Sequence, residues 1–130
     1  MDETRSDTHR SGCPLAGTLD LVGDKWSLVI LRDIMAGKHK FSELQEAPEG
    51  IPTNILSARL NRLVCEDILA KRPYQERPAR YAYVLTEKGA DLLPLIQEAA
   101  RWGQKYLPGR TPVPEWFMRA DPETVMNSQS

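Results

Sequence analysis

The side chains best suited to binding a ligand lie on one face of a helix predicted between residues 50 and 66. The segment GIPTNILSARLNRLVCEDIL places Leu56, Leu60 and Leu63 at i, i+4 and i+7, so these three leucines share the inner face. The outer face is not acidic and carries Asn54, Ser57, Ala58, Asn61 and Arg62. Amide groups match adenine, and guanidinium groups match guanine or phosphate, so this face could bind DNA. An ordinary solvated helix face is the alternative interpretation.

A short helix and a turn are predicted just before this segment. The motif SELQ, which begins at Ser42, fits a capping box and predicts a helix starting near Ser42, with Phe41 as the hydrophobic staple residue. The stretch APEG at 47–50 then ends that helix. Helix, glycine-containing turn and amphipathic helix together predict a helix-turn-helix. Its second helix either is capped by Thr53 or has Pro52 in its first turn, and the sequence allows both.

A β-hairpin is predicted after the helix-turn-helix. The amphipathic helix should run to about Glu66, and Asp67 then tolerates the left-handed backbone that ends it. Two β-prone runs follow at 68–72 and 81–85, and the tyrosines and leucine of the second run alternate with smaller residues, as in a half-buried strand. The loop PYQERPAR between the runs carries two arginines, which is typical of a wing but also of a solvated turn.

The candidate DNA contacts thus lie in the helix-turn-helix and the wing. They are Lys40, Ser42, Thr53, Asn54, Ser57, Ala58, Asn61, Arg62, Arg77 and Arg80. A net charge of −1 argues against a general polyanion binder, but residues 52–80 hold six basic and three acidic side chains, whereas residues 41–51 hold three acidic and no basic ones. Positive charge is therefore segregated, as expected if one face meets phosphate.

Two further helices are predicted before the helix-turn-helix. The first starts at Pro14 and ends at Gly23, and Leu15, Leu19 and Val22 line one of its faces. Asp24 can cap the second, KWSLVILRDIMA, whose wide apolar stripe predicts a core helix.

A long final helix is predicted from its cap Thr86, with a kink at Pro94. Its apolar stripe exceeds what a small core needs, so part of it should pack on a second copy of the chain. The predicted dimer interface consists of Leu15, Leu19, Leu92, Leu95, Ile96, Ala99, Trp102 and Tyr106. The tail from Pro108 contains Trp116, Phe117 and Met118, so we expect it to dock on the body or on the partner.

The length of 130 residues suits one domain with appendages. We predict a disordered arm at 1–12, a winged helix-turn-helix with dimerisation helices at 13–107, and a docked tail at 108–130. The fold class is mainly α with a small β-hairpin (α+β), dimerising through the terminal helices. Because no apolar run could span a bilayer and the polar start lacks the core of a signal peptide, we expect a cytoplasmic protein, with both cysteines as thiols.

From Cys13 to Gly103 the chain resembles the HxlR-type winged helix-turn-helix regulators of the MarR-like group. The motifs that carry the resemblance are CPLAGTLDLVGDKWSLVILRDIMAGKHKFSEL, GIPTNILSARLNRL, PARYAYVLTEKGADLLPLI and ARWG. The resemblance implies a bacterial homodimer that binds a pseudo-palindromic DNA operator with two recognition helices and two wings. Three positions depart from the family pattern: Pro52 stands where Ser is frequent, Asp67 where Gly is usual, and Cys65 is unusual for the late recognition helix.

Cys13 matches a cysteine that several members of this family use to sense oxidants or electrophiles. Its place before a helix start favours the reactive thiolate, because the helix dipole stabilises negative charge there. The alternative is an inert, packed cysteine, and we expect Cys65 to be of that passive kind.

No enzyme motif is present in the sequence. His9 falls in the predicted arm and His39 in a loop, no phosphate loop or nucleophile elbow occurs, and His9 with Cys13 lacks the further ligands of a zinc site. We therefore expect a transcriptional regulator without catalytic residues, metal or cofactor. Its expected partners are double-stranded DNA, a second copy of the chain, and a small electrophile or oxidant as effector. The alternative is a winged-helix module for protein contacts only, which salt-sensitive DNA binding would exclude.

Overall fold

The fold consists of helices and one antiparallel hairpin, as expected for the winged helix-turn-helix class. A computed structural model of the chain describes residues 10–129. The elements are α1 Pro14–Val22, α2 Ser27–Met35, α3 Phe41–Leu44, α4 Thr53–Cys65, β1 Leu69–Glu76, β2 Ala79–Leu85, α5 Glu87–Ala90, α6 Leu93–Tyr106, α7 Glu115–Arg119 and α8 Pro122–Asn127. His9 and most of the predicted arm lie outside the described residues. Within those residues, no helix has the length and apolar character required to cross a bilayer.

One hydrophobic core joins α2, α4, the hairpin and α6. The three leucines predicted for the inner face of α4 are all buried, which confirms the periodicity. They pack with Ile30 and Ile34 of α2, with the strand residues Leu69 and Leu85, and with Leu93 of α6. Each such side chain stabilises the fold by roughly 1.5–3 kcal/mol. The core therefore holds the helix-turn-helix and the base of the hairpin as one unit.

Asp24 connects the start of α2 to the side of α4. Its Oδ2 accepts hydrogen bonds from the backbone N–H groups of Trp26 and Ser27, both at 3.0 Å, so it caps α2 as predicted. The helix itself begins at Ser27, two residues later than the sequence suggested. The Nε of Arg59 on α4 donates to the same oxygen at 3.0 Å. Burial raises the pKa of Asp24, but the hydrogen bonds from Ser27, Trp26 and Arg59 outweigh it and hold this pKa below its usual value.

The third helix starts near the predicted position, but its predicted cap and staple residue are wrong. Helix α3 begins at Phe41, which is its first helical residue and not a staple residue, and Lys40 is the N-cap. The carboxylate of Glu43 accepts a hydrogen bond from the backbone N–H of Lys40 at 3.0 Å. Ser42 is therefore a helical residue and not a cap.

The hairpin strands are longer than predicted, because most of the expected loop is strand. The pairing runs from Leu69 opposite Leu85 to Glu76 opposite Ala79, with a register shift between Pro73 and Gln75. Asp67 has a φ of 61°, which confirms the left-handed end of α4. The predicted alternation of side chains in the run at 81–85 is wrong at its first two residues, because Tyr81 is exposed and Ala82 is buried.

The hairpin is also fixed to the segment between α2 and α3. The backbone N–H of Tyr83 donates to the carbonyl of His39 at 2.8 Å, and the Nδ1 of His39 donates to the carbonyl of Tyr83 at 2.9 Å. Lys40 forms an isolated bridge to Ala82. Through these contacts the segment between α2 and α3 pairs with β2 over two residues and holds the hairpin against the helix-turn-helix.

The long helix predicted after Thr86 is divided into two. The side chain of Thr86 caps α5 by accepting from the N–H of Gly89 at 3.1 Å, as predicted. Helix α5 ends at Ala90, and α6 starts at Leu93 with Pro94 in its first turn. The predicted kink at Pro94 is therefore wrong, because proline fits the first turn, where its missing N–H has no helical partner to lose.

The C-terminal tail, residues 108–129, packs on the body of the same chain. Phe117 of α7 and Val125 of α8 are buried. The Nε2 of Gln97 on α6 donates to the carbonyls of Phe117 and Ala120, both at 2.8 Å. The side chain of Gln129 pairs with the backbone of Leu85, accepting from its N–H at 2.6 Å and donating to its carbonyl at 3.2 Å. The tail thus reaches from α6 to the base of the hairpin.

Candidate nucleic-acid interface

Helix α4 presents the candidate recognition face. Asn54, Ser57, Ala58 and Asn61 are all exposed, as the sequence predicted, while the leucines on the opposite side are buried. Cys65 is exposed on the same outer face, and this contradicts the expectation of a passive packing residue. This face therefore exposes the carboxamides of Asn54 and Asn61, the hydroxyl of Ser57 and the thiol of Cys65. Carboxamides can make paired hydrogen bonds to adenine in the major groove.

Arg62 does not join this face. Its Nη2 donates to the backbone carbonyl of Asp20 in α1 at 2.5 Å, and its side chain lies on the flank of α4. Together with the bond between Arg59 and Asp24, this turns both arginines of α4 toward the α1–α2 region. The expectation that Arg62 points away from the body is therefore wrong, and in this structure Arg62 holds α1 against α4.

The start of the recognition face is supported by α3. Thr53 and Ser42 are both exposed, and the hydroxyl of Thr53 accepts from the Nε2 of Gln45 at 3.2 Å. Neither Thr53 nor Pro52 caps α4 through a side-chain hydrogen bond, although Pro52 occupies the N-cap position. The amide of Gln45 was missed by the sequence reasoning, because only the fold brings it within reach of Thr53.

The wing, residues 70–81, is exposed at every position. Arg77 and Arg80 lie at or beside its tip, and neither pairs with a carboxylate within residues 10–129. Gln75 stabilises the tip by donating from Nε2 to the carbonyl of Pro78 at 3.1 Å. Two free guanidinium groups on an exposed hairpin are well placed for phosphates or a minor groove.

Two lysines lie against tyrosines of the wing. The Nζ of Lys40 is 4.7 Å from the ring centroid of Tyr74, and that of Lys71 is 5.6 Å from the ring centroid of Tyr81. Both tyrosines are more than two fifths exposed. Tyr74 and Lys71 were not among the predicted DNA contacts. The β-prone sequence around them could have indicated that the wing exposes two tyrosines. The cation of Lys40 is thus held beside the wing.

The carboxylate in the turn of the helix-turn-helix is neutralised within the protein. Glu49 accepts from Nη1 and Nη2 of Arg32 at 2.7 and 2.9 Å. The hydrogen bonds that Arg32 donates to Glu49 lower the pKa of Glu49 and raise the pKa of Arg32. A paired carboxylate repels phosphate less than a free one, so the acidic residue in this turn does not oppose DNA binding.

Apart from the recognition face, α1 and α6 each expose apolar side chains. Leu15, Leu19, Trp102 and Tyr106 are between 47% and 63% exposed. Ala99 is also exposed, while Leu92 and Leu95 are half-buried. The rings of Trp102 and Tyr106 lie 5.2 Å apart, so they form a continuous aromatic patch. Ile96 is the exception, because it is buried in the core of its own chain and leaves little surface for a partner.

Cys13 lies directly before α1 and is exposed as a free thiol. Its backbone N–H donates to the hydroxyl of Ser11 at 3.2 Å. Arg10 forms an ion pair with Asp20 of α1 at 2.6 Å, so this ion pair holds the segment at 10–12 against α1. Among the described residues, no group of three or more histidine, cysteine or acidic side chains could hold a metal ion.

The chain is similar to known regulators in sequence and in structure. The family model described as HxlR-like helix-turn-helix matches residues 21–111. An uncharacterised HTH-type transcriptional regulator of Mycobacterium bovis is 40% identical over 102 residues, which are 78% of this chain and 64% of the relative. The chain thus spans less than two thirds of the length of that relative.

Two solved structures share the fold over most of this chain. The structure of PA1607 has 38% identity and a TM-score of 0.71, covering 80% of this chain and 73% of that one. The redox regulator HypR in its oxidised form has 30% identity and a TM-score of 0.66, covering 72% of this chain and 96% of that one.

Proposed function

Because the chain belongs to the HxlR-like helix-turn-helix family, whose members are transcriptional regulators and not enzymes, we propose that it binds a specific DNA operator as a homodimer. The operator is a pseudo-palindrome, because two copies related by a twofold axis present two recognition helices and two wings. The protein works in the cytoplasm, where it has access to chromosomal DNA.

The observation that carries this proposal is the pairing of two exposed features. Helix α4 presents Asn54, Ser57 and Asn61 with no acidic neighbour on the same face, and the wing presents Arg77 and Arg80, which pair with no carboxylate of residues 10–129. Carboxamides supply base readout and free guanidinium groups supply phosphate or minor-groove contacts. A module that bound only proteins would need neither carboxamides placed for base readout on α4 nor unpaired guanidinium groups on the wing.

Substitutions on the two features test the proposal. On a duplex selected from genomic DNA by the purified protein, Asn61→Ala should weaken binding by roughly 1–3 kcal/mol and relax specificity at one base position. Arg77→Ala should weaken binding to the selected duplex and to a random duplex alike. Arg119→Ala, on α7 and ion-paired with Glu115, is the matched control and should bind as the parent does. If Asn61→Ala and Arg77→Ala both bind like Arg119→Ala, the proposed interface is wrong.

The homodimer forms through α1 and α6. Trp102 and Tyr106 form an exposed aromatic patch on α6, and α1 exposes Leu15 and Leu19. Contiguous exposed apolar patches often mark protein interfaces. Trp102→Glu should give a folded monomer with much weaker operator binding, measured by sedimentation and by DNA titration. A parent protein that sediments as a monomer at micromolar concentration would contradict the dimer.

Cys13 is the regulatory thiol of this proposed regulator. It is exposed and lies at the start of a dimer-forming helix, and the similar HypR is a redox regulator. A charge or adduct there would alter the spacing of the two recognition helices, and a loss of about 1.4 kcal/mol already weakens binding tenfold. Peroxide or a quinone should lower the DNA affinity of the parent and of Cys65→Ser, but not that of Cys13→Ser. Equal responses of the parent and Cys13→Ser would exclude this role.

A further inference from the structure

The end of the C-terminal tail is hydrogen-bonded to the edge of β2 that faces away from β1. Gln129 is buried, and its Oε1 accepts from the N–H of Leu85 at 2.6 Å while its Nε2 donates to the carbonyl of the same residue at 3.2 Å. Backbone groups of residues two apart on a strand share an edge, so these bonds lie next to the bond from Tyr83 to His39. The carboxamide of Gln129 thus takes the place of a backbone partner at this edge.

The same residue also holds β1. The backbone carbonyl of Gln129 accepts from Nη2 of Arg72 at 2.5 Å. Arg72 lies opposite Ala82 in the hairpin, within the exposed wing and beyond the buried Leu69. A hydrogen bond from a guanidinium is roughly twice as strong as one between neutral groups. Gln129 therefore contacts both strands, and one of these contacts reaches past the buried base of the hairpin.

Gln129 is itself held in place by the helix that precedes it. Helix α8 is capped by Asp121, whose Oδ1 accepts from the N–H of Thr124 at 2.8 Å, and Val125 of this helix is buried in the core. The N–H of Gln129 donates to the carbonyl of Met126 at 3.2 Å. The tail thus forms a fixed connection between the core and the hairpin.

Burial does not fix the direction of the wing. Each residue from 70 to 81 is exposed, so apolar packing does not orient this part of the hairpin. A two-stranded ribbon is only marginally stable by itself, and it twists more than a wider sheet does. The direction of the tip therefore depends on polar contacts near the base of the hairpin, which the segment at 39–40 and Gln129 supply.

We propose that Gln129 is a positioning residue for the wing. Through Leu85 and Arg72 it holds the hairpin in the direction that brings Arg77 and Arg80 to DNA, without touching DNA itself. Gln129 follows residue 111, where the family match ends, so this role belongs to the tail of this chain. The inference rests on the proposed DNA binding and adds to it a residue, remote from the recognition face, on which the wing contacts depend.

Salt titrations of DNA binding test this role, because Gln129 is uncharged. On the duplex selected by the purified protein, Gln129→Ala should weaken binding about tenfold. It should also flatten the salt dependence at least as much as Arg77→Ala does, since a misdirected wing loses its phosphate contacts. Adding Arg77→Ala to Gln129→Ala should weaken binding by less than a further twofold, because both substitutions affect the same contacts. Ser128→Ala, which removes a hydroxyl that donates to Val125 within the tail, is the matched control and should bind as the parent does.

A purely structural role of Gln129 gives a different result. A protein that is destabilised but has a correctly directed wing keeps the salt slope of the parent and the full cost of Arg77→Ala. Either observation in Gln129→Ala would overturn the proposal. Binding of Gln129→Ala that equals that of the parent would do the same.

A distance measurement without DNA separates this inference from the proposed function. Spin labels on the exposed Cys65 of α4 and on Glu76→Cys in the wing, in a Cys13→Ser background with excess unlabelled protein, report the direction of the wing within one chain. Gln129→Ala should at least double the width of the distance distribution, whereas Ser128→Ala should keep the width of the parent. An unchanged width in Gln129→Ala overturns the inference even if DNA binding is confirmed. A parent that binds no DNA rejects the proposed function, and the width then decides whether Gln129 positions the wing.

Discussion

Replacing Asp24 should measure how strongly α2 is tied to the recognition helix. Asp24→Ala removes the cap bonds to Trp26 and Ser27, and losing an N-cap costs about 1 kcal/mol. It also removes the charged bond to Arg59, and hydrogen bonds to charged groups contribute about 1.5–3 kcal/mol. Since the Asp24 side chain is 20% and the Arg59 side chain 31% exposed, solvent reduces that second contribution. The expected total is a loss of about 2–3 kcal/mol.

Urea unfolding gives this number directly. With a slope of about 2 kcal/mol/M, the midpoint of Asp24→Ala should fall by roughly 1 M. Asp24→Asn is the matched control, because it keeps one acceptor oxygen for the cap and loses the charge, so it should lose about half as much. A midpoint of Asp24→Ala within 0.2 M of the parent, a margin of roughly 0.4 kcal/mol, would refute the proposed link.

The same residue predicts a pH dependence. The pKa of Asp24 is lower in the folded protein than in the unfolded chain, so its ionised form favours folding. This contribution is complete above the unfolded value of about 3.9 and is lost as the pH falls through the lower folded value. The stability difference between the parent and Asp24→Asn should therefore be constant near neutral pH and shrink below about pH 4.

Three other substitutions test the packing around the hairpin and the tail. Phe117→Ala should release the tail, since truncating a buried phenylalanine costs about 3–5 kcal/mol, and hydrogen exchange should show lost protection across residues 112–129. Gln129→Ala leaves the buried N–H of Leu85 without its acceptor, so the exchange of that amide should become faster while α4 keeps the protection of the parent. Gly89→Ala should cost about 1–3 kcal/mol in thermal unfolding, because a Cβ there would lie 2.1 Å from the carbonyl oxygen of Ile68. Parent-like behaviour in any of these assays would contradict the contact concerned.

Local sequence predicted those features that depend on periodicity and on single capping residues. The inner face of α4 follows from leucines at helical spacing, and Asp67 was expected at the left-handed end because few residues tolerate that backbone. The caps Asp24 and Thr86 were also identified, because their side chains bond to N–H groups only two or three residues away. The outer face of α4 followed from the same spacing.

The remaining features depend on contacts between distant segments. Ser42 precedes Gln45 by three residues and fits a capping box, but the helix starts after Lys40, whose backbone N–H donates to Glu43 and whose backbone bridges Ala82, 42 residues away. Arg62 was expected to face outward, but the carbonyl it reaches belongs to Asp20, 42 residues away. Gln97 reaches the carbonyl of Phe117, 20 residues away, and Gln129 reaches Leu85, 44 residues away, so no local pattern could indicate how the tail docks.

The salt dependence of DNA binding tests the central proposal most directly. For a dimer that neutralises several phosphates, the logarithm of the affinity should fall linearly with the logarithm of the salt concentration, at about 0.9 per phosphate contact. Arg77→Ala removes one wing cation from each copy, so it should flatten this slope by roughly 2, whereas Arg119→Ala should leave it unchanged. Binding to genomic duplexes that shows no salt dependence, or equal slopes for the parent and Arg77→Ala, would contradict the proposed interface.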